Sequence, residues 1–232
     1  MKWNNPLKIV FLLIVPVMVA IPGSMAQQLP DGHILQYHQD FNSPKSLGDF
    51  RVEAHESWGI YKNGGNYYLH FTGSPGIKDP SGLPGHLAIL SNRIFGDFIL
   101  EADVMPHADT NGFSEICLFL GLKDNSNYYC IQLASRSDSS THGIYVVKKS
   151  VIKKLTAPDA RPVAWKADKW QHIRLERNIV KRTIVVYAGD MQQPLLQIKD
   201  YELVMGSVGF GSFTGSGQID NIRIWAPTVI SD

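Results

Sequence analysis

Two carboxylates, an arginine and a histidine in the middle of the chain are of types that could process sugars. Asp103, Glu115 and Arg136 each lie in or beside a stretch rich in β-forming residues. If these stretches pair in one antiparallel sheet, the three side chains form a row on one face. His142 follows near the end of that row. Opposed strand residues have Cβ atoms about 5 Å apart, close to the carboxyl separation of about 5–5.5 Å in retaining glycosidases. The pattern therefore predicts Glu115 and Asp103 as catalytic residues.

The register of this row comes from the stretch SEICLFLGLKDNSNYYCIQLAS, residues 114–135. A four-residue hairpin loop at Asp124–Asn127 places Glu115 opposite Arg136. In the same way, Asp103 falls beside Glu115 if the preceding strand pairs with this one. The predicted sugar contacts are Arg136, Gln132, Tyr128, His142, Glu101 and Trp58. The alternative interpretation is a solvated face on which Glu115 and Arg136 form only a cross-strand ion pair.

The two cysteines of the chain, Cys117 and Cys130, share a face in this register. They lie about four residues apart along the ladder, so their Cα atoms would be more than about 10 Å apart at about 3.4 Å per residue. A disulfide needs a Cα separation below about 7 Å. The sequence therefore predicts two free thiols, although proteins outside the cytoplasm usually oxidise theirs.

Short β-rich runs, separated by Gly, Asn, Asp, Pro and Ser, supply the strands that position these residues. Such regular spacing without helical periodicity predicts an all-β sandwich or barrel in a single domain. The stretch GSPGIKDPSGLPG, residues 73–85, is predicted to be a long loop. The predicted strands are Tyr67–Phe71, Leu87–Ser91, Asp97–Val104, Ser114–Leu122, Tyr128–Ser135, Gly143–Lys149, His172–Arg177, Thr183–Tyr187, Gly206–Phe213 and Ile219–Trp225.

The N-terminal stretch MKWNNPLKIVFLLIVPVMVAIPGSMAQQ has the pattern of a secretory signal peptide, with cleavage expected after Ala26. Its apolar run is too short to span a membrane, and no cysteine follows the cleavage site to carry a lipid. We expect residues 1–26 to be removed and residues 27–232 to form one secreted or periplasmic domain. Without Lys2 and Lys8 the chain keeps 20 basic against 21 acidic residues. This balance gives no support to nucleic-acid binding, and we expect no membrane insertion.

Six segments, in this order, carry a family resemblance: FGDFILEADVMP, NGFSEICLFLGLKDNSNYYCIQLAS, HGIYVV, WQHIRLERN, RTIVVYAGDM and GSVGFGSFTGSGQIDNIRIW. Together they resemble the concanavalin A-like lectin/glucanase superfamily. Within it they resemble the secreted branch with the 3-keto-disaccharide hydrolase domain and laminin G-like modules. The resemblance covers the chain from Asp40 to Trp225. It implies a two-sheet antiparallel jelly roll with the ligand site on one sheet.

One departure from the family pattern bears on catalysis. Laminarinase-type members carry a strand of form E-I-D-I-E, whose alternate carboxylates project into the cleft. Here the matching residues are Glu115, Cys117 and Phe119, so one carboxylate is kept. This departure argues against laminarinase-type chemistry. Three hypotheses remain: a glycoside hydrolase-like enzyme of the 3-keto-disaccharide hydrolase type, a non-catalytic lectin-like module that binds a glycan, and a structural or protein-interaction sandwich.

No cofactor is expected to be required. The histidines form no H-E-x-x-H motif, so a catalytic zinc is not predicted. The resemblance implies a possible structural Ca²⁺ site, for which Asp220 and Asp40 with backbone carbonyls are the candidate ligands.

Overall fold

The computed structural model describes residues 29–73, 86–166 and 168–227, besides Met1. The chain divides into two units, Met1–Pro30 and Asp31–Asp232, and all the strands belong to the second. The predicted signal peptide and residues 74–85 of the predicted long loop lie outside the described residues. Within the described ranges, no helix has the length and apolar character needed to cross a membrane.

The described chain contains fifteen β-strands and two single-turn 3-10 helices, Ser46–Asp49 and His55–Ser57. The strands are β1 His33–Gln39, β2 Phe50–Glu53, β3 Trp58–Asn63, β4 Asn66–Phe71, β5 His86–Leu90, β6 Phe98–His107, β7 Glu115–Asp124, β8 Asn127–Ala134, β9 Gly143–Lys148, β10 Val151–Lys154, β11 Gln171–Asn178, β12 Thr183–Ala188, β13 Leu196–Lys199, β14 Ser207–Ser212 and β15 Ser216–Pro227. Each of the ten predicted strands corresponds to one of these. The prediction missed β1, β2, β3, β10 and β13.

The strands form two antiparallel sheets. The eight-stranded sheet has the order β13-β12-β11-β6-β15-β4-β3, with β1 also paired to β15. The seven-stranded sheet has the order β10-β9-β8-β7-β14-β5-β2. The predicted fold, an all-β sandwich of jelly-roll type, is confirmed.

Alternating apolar residues build the core between the sheets. In β7 the core side chains are Ile116, Leu118 and Leu120, and all three are fully or almost fully buried. Burying each such side chain contributes about 1.5–3 kcal/mol to the free energy of unfolding. The strands of both sheets follow the same alternation, so the core extends through the whole sandwich.

The outer face of the seven-stranded sheet is more apolar than the sequence suggested. The residues that alternate with the core form a second buried apolar cluster, with Phe213 packed against it. Its members are Leu87, Ile89, Cys117, Phe119, Leu122, Tyr128, Cys130, Tyr145 and Val147. The face that we expected to be polar is therefore apolar over most of its area.

The predicted row of Asp103, Glu115 and Arg136 is wrong, because β6 and β7 lie in different sheets. Asp103 of β6 lies opposite Asp220 of β15 on one side and His172 of β11 on the other. The connection after β6 crosses from one sheet to the other instead of closing a hairpin. The two proposed catalytic carboxylates are thus separated by the core.

The predicted hairpin register is also wrong. The turn between β7 and β8 has two residues, since Asp124 pairs with Asn127, and β7 carries a bulge between Leu120 and Asp124. Gly121 in this bulge has a φ of 59°, a left-handed conformation that glycine adopts at little cost. The register therefore shifts by two residues, and Glu115 lies opposite Ala134 instead of Arg136.

The shift brings the cysteines closer together than predicted. Cys117 lies opposite Gln132, and Cys130 lies opposite Phe119, so the two cysteines are diagonal neighbours on adjacent strands. Both are free and buried, as expected. The predicted separation of four residues is wrong. Burial, followed by the neighbouring Cys130, raises the pKa of the Cys117 thiol well above its ordinary value, so this thiol stays protonated.

Candidate functional site

Glu115 is a fully buried carboxylate that holds the turn after β14. Its Oε1 accepts hydrogen bonds from the backbone N–H groups of Phe213 (3.0 Å) and Thr214 (2.8 Å) and from Ser212 Oγ (3.1 Å). Its Oε2 accepts a hydrogen bond from Gln132 Nε2. Both oxygens are thus occupied by protein donors. This arrangement joins β7, β8 and the β14–β15 turn, and because Glu115 has no exposed surface, its carboxylate is not open to a substrate in solution.

Asp103 belongs to a polar cluster on the outer face of the eight-stranded sheet. Its Oδ1 lies 2.8 Å from His172 Nδ1, and its Oδ2 accepts a hydrogen bond of 2.9 Å from Asn221 Nδ2. The other imidazole nitrogen lies 3.5 Å from Glu101 Oε2. Hydrogen bonds to Asp103 and then to Glu101 raise the pKa of His172 to about 9. Burial opposes ionisation of Asp103, but its hydrogen bonds outweigh that effect and lower its pKa.

Arg136 and His142 lie after β8, and neither makes a hydrogen bond or ion pair with Glu115 within the described part of the chain. Arg136 is exposed, and its guanidinium donates to the carbonyl oxygen of Asn111. His142 is fully buried, and its Nδ1 accepts a hydrogen bond of 3.2 Å from the N–H of Ala134. Burial lowers the pKa of His142 to about 4, so it is neutral at pH 7. His142 therefore lies in a structural position at the end of β8.

Trp58 is packed into the sandwich. Its indole Nε1 donates to the carbonyl oxygen of Glu53 at 3.1 Å, and its ring centroid lies 5.2 Å from that of Phe71. The side chain is buried, which leaves little ring surface on which a sugar could stack.

A pocket of about 370 Å³ opens on the outer face of the seven-stranded sheet, over β8, β9 and β10. Two of the predicted binding residues, Gln132 and Tyr128, line it. Its full lining is Tyr128, Cys130, Gln132, Ser139, Ser140, Tyr145, Val147, Ile152, Lys154 and Phe213. The volume lies in the range of about 300–1,000 Å³ that is typical of ligand sites. Aromatic rings form much of its wall, with amide, hydroxyl and ammonium groups between them.

Tyr145 carries a polar group for which the described residues offer no partner. Its hydroxyl is buried and makes no hydrogen bond within the described part of the chain. Burial raises its pKa, so the phenol is neutral and can donate a hydrogen bond. Lys154 lies directly opposite in β10, with its Nζ 5.7 Å from the ring centroid of Tyr145. The ammonium donates to the carbonyl oxygens of Asp138 (2.6 Å) and Thr141 (3.0 Å), which fixes it at the pocket wall.

Glu115 acts on this pocket through Gln132. A carboxylate can only accept hydrogen bonds, so Glu115 fixes the amide of Gln132 with Nε2 toward itself. The amide oxygen is then the group that Gln132 offers as an acceptor. Sequence alternation identified Gln132 and Tyr128 as candidate binding residues, but it missed Tyr145. Finding Tyr145 requires knowing that β9 pairs with β8, which the sequence pattern does not show.

Asp220 and Asp40, the predicted calcium ligands, both accept hydrogen bonds from protein groups. Asp220 is buried and accepts hydrogen bonds from Asn66 Nδ2 (2.9 Å) and from the N–H of Asn221 (2.7 Å). Both oxygens of Asp40 accept hydrogen bonds from Asn42. Nowhere in the described ranges are three or more His, Cys, Asp or Glu side chains grouped to hold a metal ion. Calcium binding stays a prediction.

Comparison with known proteins identifies the fold of this chain but not its activity. No protein-family model matches the sequence, and no curated protein matches it. The carbohydrate binding module CBM66 from Bacillus subtilis is similar in structure, with a TM-score of 0.52 and 12% identity, over 75% of this chain and 93% of that one. A protein from Bacillus subtilis with a galectin-like fold has a TM-score of 0.52 and 14% identity, over 84% of this chain and 97% of that one. The GH43 protein BlXynB from Bacillus licheniformis has a TM-score of 0.56 and 13% identity, over 82% of this chain and 39% of that one. These similarities show that the chain shares the two-sheet sandwich fold of these structures, which agrees with the jelly roll that the sequence resemblance implied.

Proposed function

We propose that the protein is an exported carbohydrate-binding protein that holds a sugar in the pocket over β8–β10 without turnover. The observation that carries this proposal is the lining of that pocket. The rings of Tyr128, Tyr145 and Phe213 lie among the amide of Gln132 and the ammonium of Lys154. Sugars present apolar C–H faces and many hydroxyl groups, so they need both kinds of surface at once.

Binding is favoured over hydrolysis by the positions of the carboxylates. Glycoside hydrolysis by the common mechanism needs two carboxyl groups that face the scissile bond. Glu115 lies under the pocket, but its oxygens accept hydrogen bonds from Gln132 and from the turn after β14. Asp103 lies in the other sheet. These two residues therefore do not supply a carboxyl pair at one site.

A hydrolase of the 3-keto-disaccharide hydrolase type is the second candidate. It is supported by the sequence resemblance from Asp40 to Trp225 and by the structural similarity to a GH43 protein. Its test is direct. Incubation with 3-keto-disaccharides and with ordinary oligosaccharides should release reducing or keto sugar if this candidate is correct.

Export is proposed from the N-terminal sequence. Protein recovered from outside the cytoplasm should begin at Gln27, and N-terminal sequencing measures this directly. Recovery of the full-length chain inside the cell would contradict it.

The test of binding is a glycan array followed by calorimetry on the best ligand. Tyr145→Phe removes one hydroxyl that has no partner among the described residues. We expect it to weaken sugar binding by about tenfold, the usual effect of losing one good hydrogen bond, while leaving thermal stability unchanged or slightly higher. Tyr187→Phe in β12 of the other sheet is the matched control. Absence of binding to any glycan, or equal binding by both variants, would contradict the proposal.

A further inference from the structure

A second cavity, of about 720 Å³, lies away from the pocket described above. It is formed where residues 161–166 and 170–172 meet the end of β12 and the turn that follows it. Its lining is Ser135, Arg161, Pro162, Val163, Ala164, Lys166, Trp170, Gln171, His172, Ala188, Gly189, Asp190 and Leu195. Hydrogen bonds between the backbones of Val163 and Ala134 (3.0 Å) and of Gly189 and His172 (3.0 Å) fix two of its walls.

Most acceptors at this cavity already accept hydrogen bonds within the protein. The carboxylate of Asp190 accepts hydrogen bonds from the N–H groups of Gln192 (2.8 Å) and Gln193 (3.3 Å) in its own turn. His172 contacts Asp103 and Glu101 through its two nitrogens. Oδ2 of Asp190 has no hydrogen-bond partner among the described residues, and this carboxylate makes no ion pair within them, so Asp190 adds one negative charge at the turn after β12.

The donors of the cavity are mostly unused. Arg161 and Lys166 are exposed, and neither makes an ion pair within the described ranges of the chain. The Nε2 of Gln171 is buried and has no hydrogen-bond partner among the described residues. The indole Nε1 of Trp165, in the same segment, is also buried and also has no hydrogen-bond partner among the described residues. An excess of donors and positive charge favours a ligand that offers only acceptors, such as a carboxylate or sulfate group.

The partly exposed indole ring of Trp170 lines this cavity. Trp170 is 38% exposed and packs edge-on against Tyr68, with ring centroids 5.8 Å apart. The contact with Tyr68 holds the indole in place while part of its surface remains open. A fixed, partly open indole is suited to stack on the C–H face of a sugar ring.

We propose that this cavity is a second binding site, specific for an acidic sugar residue that bears a carboxylate or a sulfate ester. Arg161 and Lys166 bind the anionic group, Gln171 donates to it or to a neighbouring hydroxyl, and Trp170 stacks on the ring. The site uses the segment before β11 and the turn after β12, so it does not rest on the pocket over β8–β10.

The test is calorimetry on the purified full chain with three oligosaccharides of equal length: one of glucuronate, one O-sulfated and one neutral. We expect the acidic probes to bind and the neutral probe to bind at least about tenfold more weakly at this site. Acidic binding should weaken when salt rises from about 50 to about 300 mM, because exposed charges are screened. A preference between the two acidic probes distinguishes a uronate from a sulfate ester.

Matched variants locate the binding. Arg161→Gln with Lys166→Gln should weaken acidic binding by about tenfold or more, and Trp170→Ala should weaken it as well. Lys169→Gln changes a neighbouring lysine that does not line the cavity, and it should bind as the wild type does. Failure of both acidic probes to bind, or equal weakening by Lys169→Gln, would overturn the inference. Acidic binding that is lost in Tyr145→Phe but kept in the Arg161 and Lys166 variant would also overturn it, while leaving the first pocket as a sugar site.

Discussion

Replacing Glu115 by glutamine should destabilise the fold. The carboxylate is fully buried, and its Oε1 accepts four hydrogen bonds: from the Ser212 hydroxyl, from the Phe213 N–H, and from both the N–H and the hydroxyl of Thr214. In Glu115→Gln these become bonds to a neutral acceptor, which are weaker by about 1 kcal/mol each. The new amide group also meets Gln132 Nε2, donor to donor, until Gln132 turns its own amide. Removing a buried charge offsets part of this loss. We therefore expect the free energy of unfolding to fall by about 1–3 kcal/mol.

Urea unfolding of wild type, Glu115→Gln and Glu115→Ala measures this effect. Alanine leaves five donors without this acceptor, at about 1–3 kcal/mol each, so we expect a loss of about 5 kcal/mol or more. Glu53→Gln on the exposed edge of β2 is the control, and it should change stability by less than about 0.5 kcal/mol. If Glu115→Gln is as stable as the control variant and instead abolishes sugar release, then the structural role assigned to this carboxylate is wrong.

Three further predictions follow from buried or paired groups. The pKa of His172 is raised from 6.5 to about 9 in the folded state, so the protonated imidazole stabilises the fold. This contribution to the free energy of unfolding is complete below pH 6.5 and is lost as pH rises through 9. In a pH series of unfolding free energies, His172→Gln should flatten this decline. Thiol titration of the unfolded, unreduced protein should find both cysteines free, and a titre near zero in a monomer would contradict this. Arg177 is buried and donates to the carbonyl oxygens of Asp200 (2.9 Å) and Leu203 (3.2 Å), so Arg177→Met should cost about 2–4 kcal/mol in urea unfolding. Arg182→Met at an exposed turn loses only a cation–π contact with Tyr201 and should cost about 1 kcal/mol or less.

The fold was predictable because the strands alternate regularly. Ile116, Leu118 and Leu120 share one face of β7, and this period of two fixes both the strand and its buried side. Short strands such as β2 and β13 were missed, since four residues carry too little pattern to distinguish a strand from a loop. Local patterns therefore identified ten of the fifteen described strands, but they also missed the longer β1 and β3.

The site was harder to predict because it depends on pairing. The sequence predicts a hairpin between β6 and β7, but this connection crosses between the sheets. Nothing in its sequence distinguishes a hairpin loop from a crossing connection. The bulge at Gly121 shifted the next register by two residues. As a result, Asp103 and Arg136 moved away from Glu115, while Gln132 came beside it. The face of Tyr128 and Gln132 was predicted correctly, because alternation alone determines it.

The pocket over β8–β10 is the centre of the proposed function, and filling it is the most direct test. Ser140 lines the pocket and is exposed, so Ser140→Trp should occupy part of its volume without disturbing the core. Asn125→Trp, at the exposed turn between β7 and β8, adds the same side chain outside the pocket. Calorimetry with the best neutral glycan from the array should show wild-type affinity for Asn125→Trp and a loss of at least about tenfold for Ser140→Trp. Unchanged affinity in Ser140→Trp, with its melting temperature intact, would contradict the claim that the sugar binds in this pocket.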